Sequence, residues 1–156
     1  MDATQMFLVR HAKMHVRVDG LTAGLTEAQV RGHVHPAANP LAWHLWHIAR
    51  VEDASVNLLI GSGPQVLDDR WSARLRVARK DIGAGMTMVE VDDLCARIDL
   101  AALGAYWEAV GKRTAAVIGV LTPNDLDEVV SADRIRRAVV DEGMVEAAAG
   151  PRLQEF

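Results

Sequence analysis

The sequence contains a single cysteine, Cys95, among 156 residues. One thiol excludes both an internal disulfide framework and a zinc site built from several thiolates of one chain. No run approaches the roughly 18 consecutive apolar residues that identify a membrane span, and the segment from Met1 to Val18 has no clean apolar core of a targeting signal. A formal net charge of −4 argues against a dedicated nucleic-acid-binding protein. We therefore expect a cytoplasmic protein without membrane or nucleic-acid partners.

Several catalytic signatures are missing as well. No Gly-rich phosphate loop follows a strand, no Ser-His-Asp arrangement can be placed, and no His-Glu-x-x-His sequence of a zinc protease occurs. Histidine is distributed unevenly, because all six lie between His11 and His47 and none follows. This asymmetry is the main functional clue in the composition.

Half of the residues are apolar, which predicts one globular domain over residues 1–156 with a buried core. The clearest helix is predicted from Pro40 to about Ile60, with Asn39 as its N-cap. A second helix is predicted from Leu100 to Leu121, where apolar residues follow a heptad broken only by Thr114. The capping-box pattern at residues 87–90 leaves open a longer alternative, one helix from about Met88 to Leu121 that is irregular near Asp99.

Further helices are predicted at the two ends of the chain. Residues 2–19 form a first helix with an apolar stripe through Phe7, His11, Met14 and Val18, which ends at Gly20. The segment 131–149 is predicted to be helical, with Ser131 as N-cap. Two Leu-Thr turns, at residues 25–26 and 121–122, each follow a helix. The strand signal is poor, so the sequence predicts an all-α bundle.

Two histidine pairs have helical spacing. His44 and His47, at i and i+3 in the strongest helix, point to one side, and neutral imidazole suits zinc or nickel. The alternative is that at least one of this pair is a surface or core histidine. His11 and His15 are spaced i, i+4, and we interpret them as a partly solvated helix face. The two remaining histidines, at positions 33 and 35, belong to a connecting loop and are interpreted as structural or exposed.

Charged residues offer weaker candidates. Glu142 and Glu146 could serve a site within a bundle, although i, i+4 carboxylates are typical of a solvated face. The basic residues could meet an anionic substrate or nucleic acid, but we favour an ordinary solvated loop for them: Arg70, Arg74, Arg76, Arg79 and Lys80. Cys95 is predicted to be a packed small hydrophobe rather than a nucleophile.

Residues 39–53, NPLAWHLWHIARVED, resemble the second helix of DinB-like proteins, the superfamily that includes YfiT-like proteins and mycothiol-dependent maleylpyruvate isomerase. Residues 83–91, GAGMTMVEV, and the two Leu-Thr turns fit the same superfamily. The resemblance implies a four-helix bundle of the up-down type with long connections, often a homodimer. It also implies a divalent metal, zinc or nickel, held by a histidine of helix two and a His-x-x-x-His or Glu/His variant of helix four.

By position, His47 matches the helix-two metal ligand, and Trp43, Trp46 and Arg50 become candidate pocket residues. The helix-four pair has no counterpart, because no histidine follows His47. Either the fourth helix is incomplete in this chain and continues beyond Phe156, which we favour, or the chain lacks the full metal triad.

The resemblance implies a transferase or isomerase that uses a low-molecular-weight thiol, such as mycothiol, as cofactor and acts on a small electrophile. It assigns no catalytic or thiol-binding residue. The alternative is a non-catalytic helical-bundle dimer or small-ligand-binding protein. Metal lost on His47→Ala would support the enzyme, whereas a metal-free dimer would support the alternative.

Overall fold

The computed structural model describes residues 2–61 and 63–146, and these residues are all-α, as the sequence predicts. They contain no strand. The helices are α1 (Ala3–Thr22), α2 (Glu27–Arg31), α3 (Leu41–Ala54) continued by a π-helical segment (Ser55–Ile60), α4 (Asp69–Leu75), α5 (Met88–Arg97), α6 (Leu100–Gly119), α7 (Pro123–Asp127) and α8 (Ala132–Arg136) continued by a second π-helical segment (Arg137–Asp141). None of the described helices has the length and apolarity to cross a bilayer.

Threonine capping boxes start three of these helices. Thr26, Thr87 and Thr122 each accept a hydrogen bond from the backbone N–H three residues later, and the side chain of that later residue accepts from the threonine N–H. Each reciprocal pair satisfies two backbone donors that a helix start leaves without partners. Both predicted Leu-Thr turns are therefore helix starts, and Ser131 caps α8 in the same direction.

The start of α3 differs from the prediction by one residue. Pro40, not Asn39, occupies the N-cap, with an extended ψ of 157° and no side-chain cap, so the first helical residue is Leu41. The predicted end near Ile60 is correct, but the last six residues are π-helical. A π-helical segment widens the helix and changes the direction of the side chains that follow.

The helix predicted from Leu100 to Leu121 is confirmed as α6, whereas the longer alternative from Met88 is wrong. The chain breaks at Ile98, whose ψ is 133°, and Asp99 becomes the N-cap of α6 by accepting from the N–H of Ala102. The N–H of Asp99 donates to the carbonyl of Leu75. The short Asp99 side chain accepts from a backbone N–H more readily at a helix start than inside a helix. The irregularity predicted near Asp99 is therefore a complete break between two helices.

Three other predicted boundaries change. α1 continues through Gly20 to Thr22, because the positive-φ glycine that follows the helix is Gly24. The predicted helix over 131–149 is limited to Ala132–Asp141, with Gly143 at φ +65° soon after it; residues 147–149 lie outside the described residues. The predicted basic loop contains α4, which the side chain of Asp68 caps.

Three long helices form the body of the molecule, and their directions follow from contacts at both ends. α1 runs antiparallel to α6, since Thr4 Oγ1 is 3.5 Å from the carbonyl of Leu121 and His15 packs on Gly111. α3 runs parallel to α6, since Tyr106 contacts Asp53 and Arg113 contacts Asn57. The order is therefore up, down, down rather than strictly alternating, and residues 61–99 return the chain across the bundle.

A polar network joins the buried faces of α3 and α6. The Asp53 carboxylate accepts hydrogen bonds from Arg50 Nη1 at 3.0 Å, Tyr106 Oη at 2.6 Å and the backbone N–H groups of Val66 and Leu67. Burial raises the pKa of the Tyr106 phenol well above its usual range, so the phenol keeps the proton that it donates. Arg50 also binds the carbonyl of Lys80. The network thus fixes two connecting segments to α3, and Arg50, predicted as a pocket residue, is fully buried.

Candidate metal centre

One face of α1 lies against the rest of the bundle. Its partly buried residues follow the i, i+3, i+4 spacing of a helix seam: Thr4, Leu8, His11, His15, Val18 and Thr22. Phe7 and Met14, which the sequence analysis placed on the apolar stripe, are 47% and 43% exposed beside this seam. His11 and His15 are therefore not on a partly solvated face, because their side chains are only 8% and 14% exposed.

Glu52 of α3 meets both histidines. Nε2 of His11 lies 2.8 Å from Glu52 Oε1, and Nε2 of His15 lies 3.2 Å from Glu52 Oε2. One donor atom from each of the three residues lies within 4.8 Å of the other two. The antiparallel contact of α1 with α3 thus brings together residues that are 37 and 41 positions apart in the chain.

The His15 ring occupies a position that α6 shapes for it. The ring stacks on the Trp107 indole with centroids 3.7 Å apart and planes 12° from parallel. On its way past α6 it lies over Gly111, where a Cβ atom would come within 2.4 Å of His15 Cε1. A glycine inside a helix costs about 1 kcal/mol relative to alanine. Gly111 therefore gives up helix stability at the one point where the imidazole needs the space.

The cluster is open to a cavity. A cavity of about 550 Å³ lies along the junction of α1 with α6 and is lined by His11, His15, Asp19, Trp107 and Gly111, among others. Thr114 follows Gly111 by one turn of α6. Its hydroxyl is buried and has no hydrogen-bond partner among the described residues. A ligand in this cavity can approach the histidines from solvent without crossing the core.

The donor set and its dimensions fit a divalent metal ion. Two imidazoles and one carboxylate are the three protein ligands of one class of zinc site that keeps a fourth position open, and they also suit nickel and iron. Ligand atoms about 2.05 Å from a tetrahedral metal are about 3.3 Å apart, close to the 2.8 Å and 3.2 Å that separate these nitrogens and oxygens. The spacings between the imidazoles and the carboxylate therefore suit such an ion, and all three donor atoms lie within 4.8 Å of one another.

His47, the predicted metal ligand, lies outside this cluster. Its Nδ1 donates to the carbonyl of Ile82, and its ring stacks on Trp43 with centroids 4.5 Å apart. A backbone carbonyl on Nδ1 leaves Nε2 with a free lone pair, which is the tautomer of a metal-ligating histidine. Within residues 2–61 and 63–146, however, the one group of three candidate donors does not include it. The assignment of His47 remains a prediction. His44 is exposed, with its ring edge against Trp43.

The other candidates are structural in the described residues. His33 donates to Asp92 and to the carbonyl of Ala38, and the hydrogen bond to Asp92 raises the pKa of its imidazole. His35 accepts from the N–H of Ala37. Glu146 pairs with Arg79 at 3.3 Å.

Two further predictions concern single residues. Glu142 approaches Arg137 Nε at 3.9 Å, and among residues 2–61 and 63–146 it belongs to no group of three candidate metal donors. Cys95 is buried, and burial raises the pKa of its thiol, as expected for a packed residue.

Sequence reasoning missed Glu52 and assigned the wrong environment to His11 and His15. A signal was present: positions 4, 8, 11, 15, 18 and 22 form an unbroken seam that places both histidines in the interface. On α6, Thr114 interrupts an apolar heptad at the same level, one turn after Gly111. The partner Glu52 needed the relative register of α1 and α3, which no local pattern contains.

The family model described as DinB superfamily matches residues 7–144 of this chain. The match spans the start of α1 to the segment after the second π-helical turn and includes all three residues of the cluster. A search of curated proteins finds no match.

Proposed function

Because the chain belongs to the DinB superfamily, we propose that its His11, His15 and Glu52 bind a divalent metal ion and that the protein is a metal-dependent transferase or isomerase using a low-molecular-weight thiol. The observation that carries this proposal is the convergence of the three donors, two of which, His11 and His15, line an open cavity. Three protein ligands are the number that catalytic zinc sites use when a fourth position is left for water or substrate.

The residues around the cluster have separate tasks in this proposal. Glu52 supplies the negative charge, and the two imidazoles supply neutral donors from successive turns of α1. Trp107 fixes the plane of the His15 ring, and Phe7 lies parallel to the His11 ring at 6.2 Å. A bound divalent ion would lower the pKa of a thiol or water in the open position and so supply a nucleophile near neutral pH.

Metal analysis of the wild type and two variants tests the proposal. We expect about one zinc ion per chain in the wild type, none in His15→Ala, and an unchanged content in His47→Ala, since three ligands define such a site. Circular dichroism confirms that each variant remains helical. Metal retained in His15→Ala contradicts the proposed cluster, and metal lost only in His47→Ala instead supports the ligand that the family resemblance implies.

The second candidate is a non-catalytic bundle that binds a small ligand. One observation favours it: each Nε2 of the cluster already donates to Glu52, so the three side chains satisfy one another without an ion. In that case elemental analysis finds no metal in the wild type, and removing Glu52 lowers the stability without affecting any metal-dependent signal.

We also propose that the protein is cytoplasmic, as the sequence analysis predicts, and that it is a homodimer, as the resemblance implies. Exposed apolar side chains on the outer side of α1 support a subunit contact there, namely Met6, Val9 and Val16, which are 49%, 46% and 71% exposed. Light scattering of the wild type and of Val16→Glu tests it. A monomeric wild type contradicts the proposal.

A further inference from the structure

The cavity beside the metal cluster continues along the bundle. A second cavity of about 390 Å³ lies further along α1 and is lined largely by apolar side chains, with Leu45, Leu100 and Leu103 among them. The two cavities share three lining residues: Asp19, Gly104 and Trp107. They therefore form one groove between α1 and α6, with the histidine cluster at one end and an apolar pocket at the other.

Asp19 occupies the junction of the two cavities. It follows His15 by one helical turn, and its carboxylate has no hydrogen bond or ion pair with any of the residues in the described ranges 2–61 and 63–146. The other carboxylates that line the groove are already paired, since Glu27 binds Arg31 and Glu108 binds Lys112. One uncompensated negative charge is thus placed between the metal cluster and the apolar pocket.

Gly104 keeps the passage between the cavities open. A Cβ atom at this position would meet no heavy atom within 4 Å, and the residue is exposed on α6 and lines both cavities together with Asp19. The part of the junction that Gly104 forms is therefore bare backbone, and Asp19 and Trp107 supply the side chains there. A ligand can lie along α6 past this point without displacing a side chain.

From this arrangement we propose that the groove selects a cationic ligand: a donor atom at the His11–His15–Glu52 end, an ammonium group beside Asp19, and an apolar tail in the pocket of Leu45, Leu100 and Leu103. The inference rests on the proposed metal site and names the class of molecule that this site accepts. An ammonium beside a carboxylate with no other partner gains a charge-assisted hydrogen bond, whereas an anion there meets uncompensated negative charge.

Two thiols of equal length test the selection. The first, 2-(propylamino)ethanethiol, carries a secondary ammonium two carbons from the sulfur, and the second, 2-propoxyethanethiol, has an ether oxygen in its place. Cobalt(II) replaces zinc as a coloured probe, so each thiol is titrated through its sulfur-to-cobalt charge-transfer band. We expect the ammonium thiol to bind about fivefold more tightly, which is near the upper end for an exposed ion pair.

Matched variants locate the selection. Asp19→Asn should abolish the difference between the two thiols while leaving the affinity for cobalt unchanged. Glu108→Gln changes the net charge by the same amount in the same groove and should preserve the difference. Gly104→Leu should weaken both thiols equally, because the new side chain fills the passage that the apolar tail needs.

The outcomes separate the inference from the proposed function. If cobalt does not bind to the wild type, the proposed metal site fails and the inference fails with it. If cobalt binds and the two thiols bind equally, or neither binds, only the ligand class is wrong. A preference that survives Asp19→Asn, or a loss of cobalt in that variant, overturns the assigned role of Asp19.

Discussion

Glu52 and Asp53 are neighbouring carboxylates on one helix, and they have opposite environments. Asp53 faces α6, is fully buried, and accepts five hydrogen bonds from side chains and backbone. Glu52 is turned about 100° around the helix axis, faces α1, and contacts two imidazoles that line a cavity. A saturated carboxylate holds the fold together, whereas one whose partners are themselves metal ligands remains available for chemistry. The difference arises from the helix periodicity rather than from residue type.

The largest expected effect belongs to Asp53. Asp53→Asn leaves the buried Arg50 without its counter-charge, and breaking a buried pair in this way costs about 3–5 kcal/mol. Urea unfolding measures the change in the free energy of unfolding. Asp127→Asn, which removes an exposed carboxylate from α7, should stay within about 0.5 kcal/mol of the wild type. Equal effects of the two substitutions would contradict the structural role of Asp53.

Glu52→Gln should produce the reverse profile. We expect the free energy of unfolding to change by about 1 kcal/mol or less, as for a partly exposed hydrogen-bonded pair. The affinity for zinc should fall by at least the roughly 10–100-fold that follows the loss of a supporting partner. Competition with a chromogenic chelator measures this affinity. A variant that loses stability but keeps its zinc affinity would make Glu52 a second structural carboxylate and remove the contrast with Asp53.

Gly111→Ala tests whether the metal cluster containing Glu52 depends on the close approach of His15 to α6. The new methyl group overlaps the His15 ring, so the imidazole must move, and we expect about a tenfold loss of zinc affinity, the lower end of the range for orienting groups. Gly104→Ala is the control, since its methyl group meets nothing. This control should keep the affinity and gain up to about 1 kcal/mol from helix propensity. Equal zinc affinities in both alanine variants would show that His15 does not need its present position.

Thr114→Val tests whether the buried Thr114 hydroxyl is a structural group, as Asp53 is, or serves the candidate site, as Glu52 does. A buried hydroxyl without a partner costs about 1–3 kcal/mol, so the nearly isosteric valine should stabilise the protein by about 1 kcal/mol. If the hydroxyl instead serves a ligand of the cluster, the variant gains stability but loses affinity for the thiol probes. Thermal unfolding and the cobalt titration distinguish the two results.

The smallest effect concerns His33 and Asp92, a histidine–carboxylate pair on the surface. The hydrogen bond to Asp92 raises the pKa of His33 above its usual 6.5, so folding favours the protonated imidazole. Its contribution to stability is complete below the pKa of the unfolded chain and disappears as the pH rises through the higher folded value. NMR titration should give a midpoint above 6.5 that falls in Asp92→Asn. An unchanged midpoint would show that this pair lacks the coupling expected of it.

The parts of this fold that depend on neighbouring residues could be predicted from the sequence. The helix starts at Thr26, Thr87 and Thr122 could be predicted because a capping box is complete within four residues. The break at Asp99 was visible only as an irregularity, since its N–H is satisfied by Leu75, a distant residue. The parallel direction of α3 and α6 depends on the whole connection between them.

The candidate site was harder to predict for a similar reason. The spacing of His11 and His15 is visible locally, but their environment follows from Glu52, which lies 41 and 37 residues away. The break in the apolar heptad at Thr114 indicated which turn of α6 lies near the cluster. It did not indicate which residues of α1 and α3 pack there. The prediction of a solvated face for His11 and His15 did not take the helices that pack on α1 into account. The full i, i+3, i+4 pattern of α1 predicts instead that both histidines lie in the interface.

α1 also differs from the other long helices in how it is attached. None of its residues is fully buried, whereas α6 buries Leu103, Tyr106, Val110 and others. Two of the six seam positions of α1 are imidazoles rather than apolar side chains. α1 should therefore open locally at a lower free energy than the α3–α6 pair, with faster amide hydrogen exchange. An ion held by His11 and His15 on one side and Glu52 on the other would fasten this helix to the bundle, so that metal occupancy and helix docking become linked equilibria.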